Sequence, residues 1–467
     1  MASRRRFAAM AGVLAVAALA GCRTVGPGSG ALPGALPEVT GGGIRALWQG
    51  PQWEDLTISG GLVLGVEQAG HPAKVHAVSA LTGAPAWTMT LPASLPDVLG
   101  LVPAGSVVVV EAGRDLDDPA GGAVVTEYVA VDARTGHRVW TAPVRSVQVP
   151  DEVPPIAAAG GLLLTGDPAG AVTAQDAATG AVAWRDPSPA ACRAATGTGL
   201  ENYTGLGIAA DGPLAVASFD CGPAVIVQRL DAATGRPLWS WRSPAVYRAG
   251  VRLPVTVAAR DGGVVLLTGG IGPQSAAARF TARLPHPYPW PAKLGPVDGT
   301  SIVLALDAAD GHPRWSERGG QQVMFAPAEG AVCELVPGGL ECRDDTTGAV
   351  TLPDLVTQNP SGEPVAGISG GVAIVTDEPT GGHEVTLRVV KIRGGATAAQ
   401  ARFGIGVNGS GDANVRVAPV AAGPLPGGAT LVLIRRADLP GNLVLALRIP
   451  PRQPGDSSGS AATSSTS

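Results

Sequence analysis

Short apolar runs separated by polar turn residues cover most of the chain. TEYVAV (126–131), AVIVQRL (224–230) and SIVLAL (301–306) are rich in β-branched residues, as β-strands are. Other runs place Gly-Gly between two strand-like stretches, in ISGGLVLGV (58–66), AAGGLLLTG (158–166), RDGGVVLLT (260–268) and ISGGVAIVT (368–376). The sequence therefore predicts an all-β chain whose strands are joined by tight turns.

One nine-residue phrase recurs along the chain, five times ending in Trp and once, more weakly, in Leu. The copies are SALTGAPAW (79–87), DARTGHRVW (132–140), DAATGAVAW (176–184), DAATGRPLW (231–239), DAADGHPRW (307–315) and DDTTGAVTL (344–352). The first residue can bond back to its own turn, and Gly takes a left-handed conformation that other residues resist. Each unit is thus predicted to have four strands, and such units at intervals of about 50 residues are typical of a β-propeller.

The number of blades follows from where the units begin and end. Seven units cover 52–93, 94–143, 144–188, 189–243, 244–317, 318–354 and 355–405. The stretch 406–450 supplies three further strands, and IRALWQ (44–49), which contains Trp48, supplies the fourth. We therefore predict an eight-bladed propeller that the two chain ends close within one blade, which leaves no open sheet edge at a seam. Seven blades is the alternative, because the unit 355–405 is degenerate.

The spacing A-x-D-x-x-T-G-x-x-x-W occurs in full at 130–140 and 174–184. It resembles the tryptophan-docking motif of PQQ-type propeller repeats, and the resemblance extends over residues 44–450. It implies that six tryptophans pack between neighbouring blades as scaffold: Trp48, Trp87, Trp140, Trp184, Trp239 and Trp315. This family includes quinoprotein dehydrogenases and also the BamB-like lipoproteins, which are non-enzymatic assembly scaffolds.

The first residues look like an export signal. Arg4, Arg5 and Arg6 precede an apolar stretch that is too short to span a bilayer, and the stretch ends in LAGC. This ending resembles a bacterial lipoprotein box, so we expect residues 1–21 to be removed and Cys22 to carry lipid. SRRRF (3–7) also resembles the twin-arginine consensus, and the choice between the two export routes stays open. Residues 22–43 are predicted to be a flexible tether and 451–467 a disordered tail. The expected location is the extracytoplasmic side of the cell membrane.

Four cysteines remain after Cys22, an even number in a compartment that permits disulfides. Cys333 and Cys342 flank ELVPGGLE, and a two-residue hairpin there places 333 opposite 342 at a close Cα approach. Cys192 with Cys221 follows by elimination. Four free thiols are the alternative.

The remaining chemistry-like motifs favour structural interpretations. A formal charge of −5 gives no footprint for nucleic acid. GISGG (367–371) and GIGVNG (404–409) are followed by strand-like residues, whereas a nucleophile elbow or a dinucleotide loop needs a helix. Asp115, Asp117 and Asp118 are interpreted as a solvated loop, and the six histidines lack metal-ligand spacing. No metal, no catalytic residue and no cofactor is predicted, and PQQ with calcium is not expected.

The most individual segment is the insertion 271–300, whose LPHPYPWP alternates Pro with His286, Tyr288 and Trp290. Such a stretch is extended and rigid, so these three rings are candidate partner-binding residues. The alternative is that the rings fold down onto the propeller. In a propeller, the loops between second and third strands share one face with the blade-to-blade connections. The insertion and all four paired cysteines are predicted to lie on that face.

Two function hypotheses follow. The first is a lipid-anchored, non-enzymatic propeller that binds a protein or an envelope ligand through this elaborated face. The second is an enzyme, either a PQQ-dependent dehydrogenase or one that acts on a cell-wall polymer in the central funnel.

Overall fold

The computed structural model describes thirty-two β-strands. The described residues are 39, 43–51, 53–68, 72–113, 125–144, 156–166, 170–187, 189, 192, 206–221, 224–243, 255–271, 300–318, 322–326, 330–336, 339–356, 365–369, 372–377, 384–404, 417–425, 429–436 and 443–449.

The strands of the first four blades are consecutive in the chain. Blade 1 contains β2 (Glu54–Ser59), β3 (Leu62–Glu67), β4 (Lys74–Ser79) and β5 (Pro85–Thr90). Blade 2 contains β6 (Asp97–Ala104), β7 (Val107–Gly113), β8 (Val125–Asp132) and β9 (Arg138–Pro143). Blade 3 contains β10 (Ile156–Ala159), β11 (Leu162–Gly166), β12 (Val172–Asp176) and β13 (Val182–Asp186). Blade 4 contains β14 (Leu206–Asp211), β15 (Leu214–Asp220), β16 (Val225–Asp231) and β17 (Pro237–Arg242).

The last four blades include the closing one. Blade 5 contains β18 (Val255–Ala259), β19 (Val264–Ile271), β20 (Thr300–Asp307) and β21 (Pro313–Arg318). Blade 6 contains β22 (Gln322–Ala326), β23 (Ala331–Val336), β24 (Gly339–Asp344) and β25 (Val350–Val356). Blade 7 contains β26 (Val365–Ser369), β27 (Val372–Asp377), β28 (Glu384–Lys391) and β29 (Thr397–Gly404). Blade 8 contains β30 (Val417–Pro424), β31 (Thr430–Arg436), β32 (Leu443–Ile449) and β1 (Arg45–Pro51).

Each blade is a four-stranded antiparallel sheet, and the eight sheets form the predicted eight-bladed propeller. First strands of adjacent blades lie next to each other around the centre, and fourth strands form the outer rim. The closing blade has the order β1-β32-β31-β30, with Trp48 opposite Ala446. The prediction that the two chain ends complete one blade is therefore confirmed, and the seven-bladed alternative is wrong.

Because the strands alternate in direction, the propeller has two distinct faces. We call the face that holds the first-to-second and third-to-fourth turns the turn face. The opposite face, with the second-to-third loops and the blade-to-blade connections, is the connection face. Every strand of about six residues separates the two faces by roughly 20 Å.

The recurring phrase builds the seams between blades. In blade 3, the carboxylate of Asp176 accepts hydrogen bonds from the backbone N–H and the hydroxyl of Thr179. Gly180 follows with a φ of 73°, and a Cβ added there would lie 2.8 Å from the Trp140 ring of blade 2. The Trp140 indole N–H donates to the Ala177 carbonyl at 2.8 Å. Glycine is therefore required at this position for two reasons: the backbone is left-handed, and the indole lies directly against it.

The same indole-to-carbonyl bond recurs at each of the six predicted docking tryptophans. The bonds join Trp48 to Ala80, Trp87 to Ala133, Trp140 to Ala177, Trp184 to Ala232, Trp239 to Ala308 and Trp315 to Asp345, at distances of 2.6–3.0 Å. At the next seam Leu352 takes the docking position and contacts Gly395. The weak copy of the phrase is thus the same structural element with a smaller side chain.

The seam between blades 7 and 8 has a different construction. Ala399 lies opposite Val389, which is the register that tryptophans occupy elsewhere. Blade 8 has no third-to-fourth turn, because its third strand is β32 and its fourth strand is β1, from the other end of the chain. Instead Ile44 and Ile449 pack with Ala399 in one apolar cluster, and Val39 lies against it. This is why the unit 355–405 looks degenerate although its blade is complete.

The apolar core is divided among the seams rather than gathered at one centre. Separate clusters join successive blades, such as Val63, Trp48 and Leu433 between blades 8 and 1. Within the described ranges, no helix is long and apolar enough to cross a bilayer.

Candidate binding face

The two disulfides lie in different places. Cys192–Cys221 lies at the connection face, whereas Cys333–Cys342 is buried in the apolar core between blades 6 and 7, so the prediction that all four cysteines lie on the connection face is wrong for the second pair. Cys333 pairs with Cys342 across the β23–β24 hairpin, with Cα atoms 4.0 Å apart and Val336 opposite Gly339. Cys192, in the connection between blades 3 and 4, pairs with Cys221 at the end of β15. Both predicted pairings are confirmed.

The Cys192–Cys221 bond fastens a blade-to-blade connection to a second-to-third loop. Both cysteines are buried, and the bond closes a separation of 29 residues. A cross-link over such a loop stabilises the folded chain by about 3.6 kcal/mol in the chain-entropy treatment. Part of the connection face is therefore covalently held in place.

A hydrogen-bonded cluster occupies the connection face of blade 1. The Trp53 indole, in the connection between β1 and β2, stacks on the His76 ring with centroids 5.5 Å apart and planes at 4°. His76 contacts the Glu67 carboxylate at 2.7 Å through Nε2 and the Thr88 hydroxyl at 3.1 Å through Nδ1. Lys74 lies 3.4 Å from the other Glu67 oxygen. Burial raises the pKa of Glu67, but the bond to His76 and the Lys74 charge lower it, and the net pKa is below the usual value.

Gly65 makes this stack possible. A Cβ at Gly65 would lie 2.6 Å from the Cβ of Trp53, so a larger residue would push the indole away. A lone Gly within the apolar strand LVLGVE is a sign of close approach, and this sign could have identified the site from the sequence. The cluster presents a carboxylate, an ammonium group and an imidazole on one solvent-facing patch.

A buried set of charges lies at the seam between blades 5 and 6. Arg343 of blade 6 contacts Glu317 of blade 5 through Nε at 2.6 Å, and its Nη2 contacts Glu341. Glu334 lies opposite Glu341 in the β23–β24 ladder. The side chains of Glu317 and Arg343 are 2% and 4% exposed. Glu317 therefore lies buried between the Arg343 guanidinium and the Glu334 carboxylate, and the partly exposed Glu341 contacts the same guanidinium.

Such a set cannot be fully ionised at low cost, because two negative charges would remain uncompensated. Burial is the main cause that raises the pKa of Glu317, to about 9, and the neighbouring Glu334 carboxylate raises it further, whereas Arg343 lowers it. At neutral pH Glu317 therefore carries a proton that it shares with Glu334. This set was not predicted from the sequence, because no linear pattern indicates that residue 317 lies next to residue 343.

A second ion pair crosses the same seam on the turn face. Arg260 donates from Nε and Nη2 to the two carboxylate oxygens of Asp345, at 2.6 and 2.9 Å. Asp345 is 1% exposed and stands where five other units have Ala. Gly263 leaves room for the guanidinium, because a Cβ there would lie 2.5 Å from it. At this seam an ion pair lies where five other seams have an apolar alanine.

Several sequence-predicted residues lie outside the described ranges. These are Cys22, the acidic loop Asp115, Asp117 and Asp118, and the candidate partner-binding residues His286, Tyr288 and Trp290. His137 and His312 are exposed at the turn face. GISGG ends β26, and Ser369 pairs with Val372 of the antiparallel β27. The part of GIGVNG that the structure describes, Gly404, ends β29.

The described residues contain no group of three or more His, Cys, Asp or Glu side chains that could hold a metal ion. Three first strands consist mainly of small apolar residues, namely IAAA (156–159), VTVAA (255–259) and VAGIS (365–369), whereas β2 begins with Glu54 and Asp55. The chemistry of the described residues is therefore concentrated at seams and on the connection face.

These features define the chain as a PQQ-like β-propeller of eight blades that resembles BamB. A family model described as "Outer membrane protein assembly factor BamB" matches residues 125–283, from the second blade into the fifth. The comparison with curated protein sequences finds no match.

Solved structures with similar folds come from several kinds of protein. BamB from Moraxella catarrhalis is 14% identical over 86% of this chain and 97% of its own, with a TM-score of 0.46. Quinohemoprotein alcohol dehydrogenase ADHIIG from Pseudomonas putida HK5 is 13% identical over 88% and 77%, with a TM-score of 0.46. Sqt1 from Saccharomyces cerevisiae is 10% identical over 87% and 99%, with a TM-score of 0.48.

Proposed function

We propose that this protein is a lipid-anchored, extracytoplasmic scaffold that binds a protein or an envelope ligand through its connection face. Cys22 is the proposed lipid attachment, and no cofactor takes part. The proposal is based mainly on the difference in structure between the two faces. On the turn face, the recurring phrase has a structural role: six indole hydrogen bonds dock one blade onto the next.

The connection face, by contrast, differs from blade to blade. It holds the Cys192–Cys221 disulfide, the Trp53–His76 stack and the ends of β19 and β20, which border the insertion 271–300. Rigid and chemically individual surfaces are those that partner proteins recognise, because little entropy is lost when they are bound. Disulfides persist in oxidising compartments, which supports a location outside the cytoplasm.

Site-specific photo-crosslinking in cells tests this proposal. A photoreactive residue at Ala93, exposed in the connection between β5 and β6, probes the connection face. Ala84, exposed in the turn before β5, is the matched control at the other end of the same strand. We expect a discrete crosslinked partner from Ala93 and none from Ala84. Equal yields from both positions, or a partner from Ala84 alone, would contradict the proposal.

The dehydrogenase alternative has its own assay. Purified protein is incubated with PQQ and calcium, and quinone absorbance and dye reduction with alcohols are recorded. Our proposal predicts neither signal. Turnover that depends on PQQ would replace the scaffold role with catalysis.

A further inference from the structure

The outer edge of blade 7 differs from the outer edges of the other blades. Its fourth strand, β29, pairs only with β28 among the strands that the structure describes. It is eight residues long, whereas the other outer strands have five to seven residues. An outer strand directs every second pair of backbone N–H and C=O groups away from its blade, and such a row is a template for one more strand.

Proline commonly blocks such edges, because it has no N–H to offer and its ring keeps a further strand away. Seven blades carry a proline in the six outer-strand positions that run from two before the docking position to three after it. These prolines are Pro51, Pro85, Pro143, Pro187, Pro237, Pro313 and Pro353. The same six positions of blade 7, TAAQAR (397–402), contain none. Blade 7 is therefore the one blade whose outer edge is not blocked in this way.

The prolines also indicate which residues of β29 face outwards. Pro143 lies three positions after Trp140 and pairs in regular register with Glu127, so this ladder position needs no N–H. In an antiparallel ladder the N–H and C=O of one residue point to the same side, and alternate residues point to opposite sides. Residues one and three positions after the docking position therefore present both groups outwards. In β29 these residues are Gln400 and Arg402, whose side chains are also exposed.

The side chains of this edge allow another backbone to come close. Thr397 and Ala398 are small and exposed, and Ala399 is buried in the seam with blade 8. The six residues carry a single charge, on Arg402. A second copy of β29 would bring another arginine and no carboxylate. A strand that carries Asp or Glu would instead complement the edge, because opposite charges on paired strands attract.

From the missing proline and the single arginine we infer that the outer edge of blade 7 binds an extended segment of a partner protein, which adds to β29 as a fifth strand with an acidic side chain opposite Arg402. Main-chain hydrogen bonds to Gln400 and Arg402 supply the affinity, and the acidic side chain sets the register. The contact lies on the rim, so it goes beyond the proposed function and adds a second contact surface. It depends neither on the lipid anchor nor on a partner at the connection face.

A labelled peptide tests the edge directly. The probe is a capped peptide of alternating Thr and Val with one central Glu, methylated on the backbone nitrogens of one edge so that it cannot pair with itself. Its binding to the purified full chain is followed by fluorescence anisotropy. We expect saturable binding, and none for the same peptide methylated on both edges, which cannot form the ladder. Absence of binding, or equal binding of the two peptides, would overturn the inference.

A proline variant places the contact on blade 7. Gln400→Pro closes the edge as blade 6 does, because Pro353 occupies the same position there. Loss of an outward donor together with the added ring should weaken peptide binding about tenfold. Ser240→Pro is the matched control, since Ser240 has this position in blade 4, whose outer strand already contains Pro237. The control should bind as the unsubstituted protein does, and an equal loss in both variants, or no loss in either, would refute the assignment to blade 7.

A charge exchange leaves the backbone unchanged and decides the question if Gln400→Pro does not fold. Arg402→Glu should weaken binding of the Glu peptide several-fold and strengthen binding of a peptide with Lys in its place. An unchanged preference between the two peptides would exclude pairing beside Arg402. Sedimentation of the unsubstituted protein and of Gln400→Pro tests the competing occupant. A dimer that this substitution separates into monomers would assign the edge to a second copy of the chain, against the inference.

Discussion

Glu317→Gln should remove most of the alkaline destabilisation of the propeller. The folded chain holds a proton on Glu317 up to about pH 9, whereas the unfolded chain releases it near the ordinary value of 4.5. The folded state therefore binds more protons between these two values, and the unfolding free energy falls as the pH rises through this window. Below pH 4.5 both states are protonated, and above pH 9 both are ionised, so the slope vanishes on either side.

The size of the effect follows from the shift. Since one pKa unit corresponds to about 1.4 kcal/mol, the unfolding free energy should fall by roughly 5 kcal/mol from pH 5 to pH 9 through this residue. A glutamine is uncharged at every pH, can still accept from Arg343 and can donate to Glu334. Protonated Glu317 is also neutral below about pH 9, so the substitution removes no ionic contact in this window.

Urea unfolding followed by tryptophan fluorescence at pH 5, 7 and 9 measures this slope directly. Glu341→Gln is the matched control, because it lies at the same seam and is partly exposed, and it leaves the Glu317–Glu334 pair in place. We expect the control to keep most of the slope and Glu317→Gln to lose it. If both variants keep the slope of the unsubstituted protein, the shared proton is not at Glu317 and the reasoning is wrong.

Three further predictions concern the seams and can use the same urea assay. Gly180→Ala should lower the unfolding free energy by about 2–4 kcal/mol, because the new Cβ strains the backbone and clashes with Trp140. Gly161→Ala, whose Cβ meets nothing within 4 Å, should lower it by about 1 kcal/mol. Equal losses would refute the indole contact. Replacing Cys192 and Cys221 together by Ala should lower stability by about 3–4 kcal/mol, and an unchanged midpoint would show that the bond constrains little. Arg260→Ala should lower the unfolding free energy by about 3–5 kcal/mol, because it leaves Asp345 buried without its cation. Adding Asp345→Ala should restore most of that loss. A double variant as unstable as the single one would contradict this prediction.

The sequence predicted the blades well because the turn chemistry that defines them is local. Asp, Thr and Gly within five residues specify the third-to-fourth turns at 132–136, 176–180 and 231–235, and the docking indole follows four residues after the Gly. The Cys333–Cys342 bond was predictable for the same reason, since a two-residue hairpin determines the register.

The charged seams were not predictable, because their partners are far apart in the chain. Asp345 is 85 residues from Arg260, and a single sequence does not show which of its arginines such an aspartate would meet. The Glu317 set needs three strands of two blades to be placed side by side. Gly263 gave a local sign that a bulky neighbour lies close, but the sign does not identify that neighbour as Arg260.

The position of the chain entry also determines how the propeller would bear a load. A pull on the proposed anchor acts at Ile44 and runs along β1, parallel to its ladder with β32. A force in that direction loads the hydrogen bonds between Arg45 and Pro51 together, whereas a force across the strand would break them one after another. The closing blade would thus combine two roles, since the strand that completes the ring is also the strand to which the proposed anchor leads. The tryptophan that docks blade 8 onto blade 1 lies on this same strand, at Trp48, so the indole bond to Ala80 resists the pull as well.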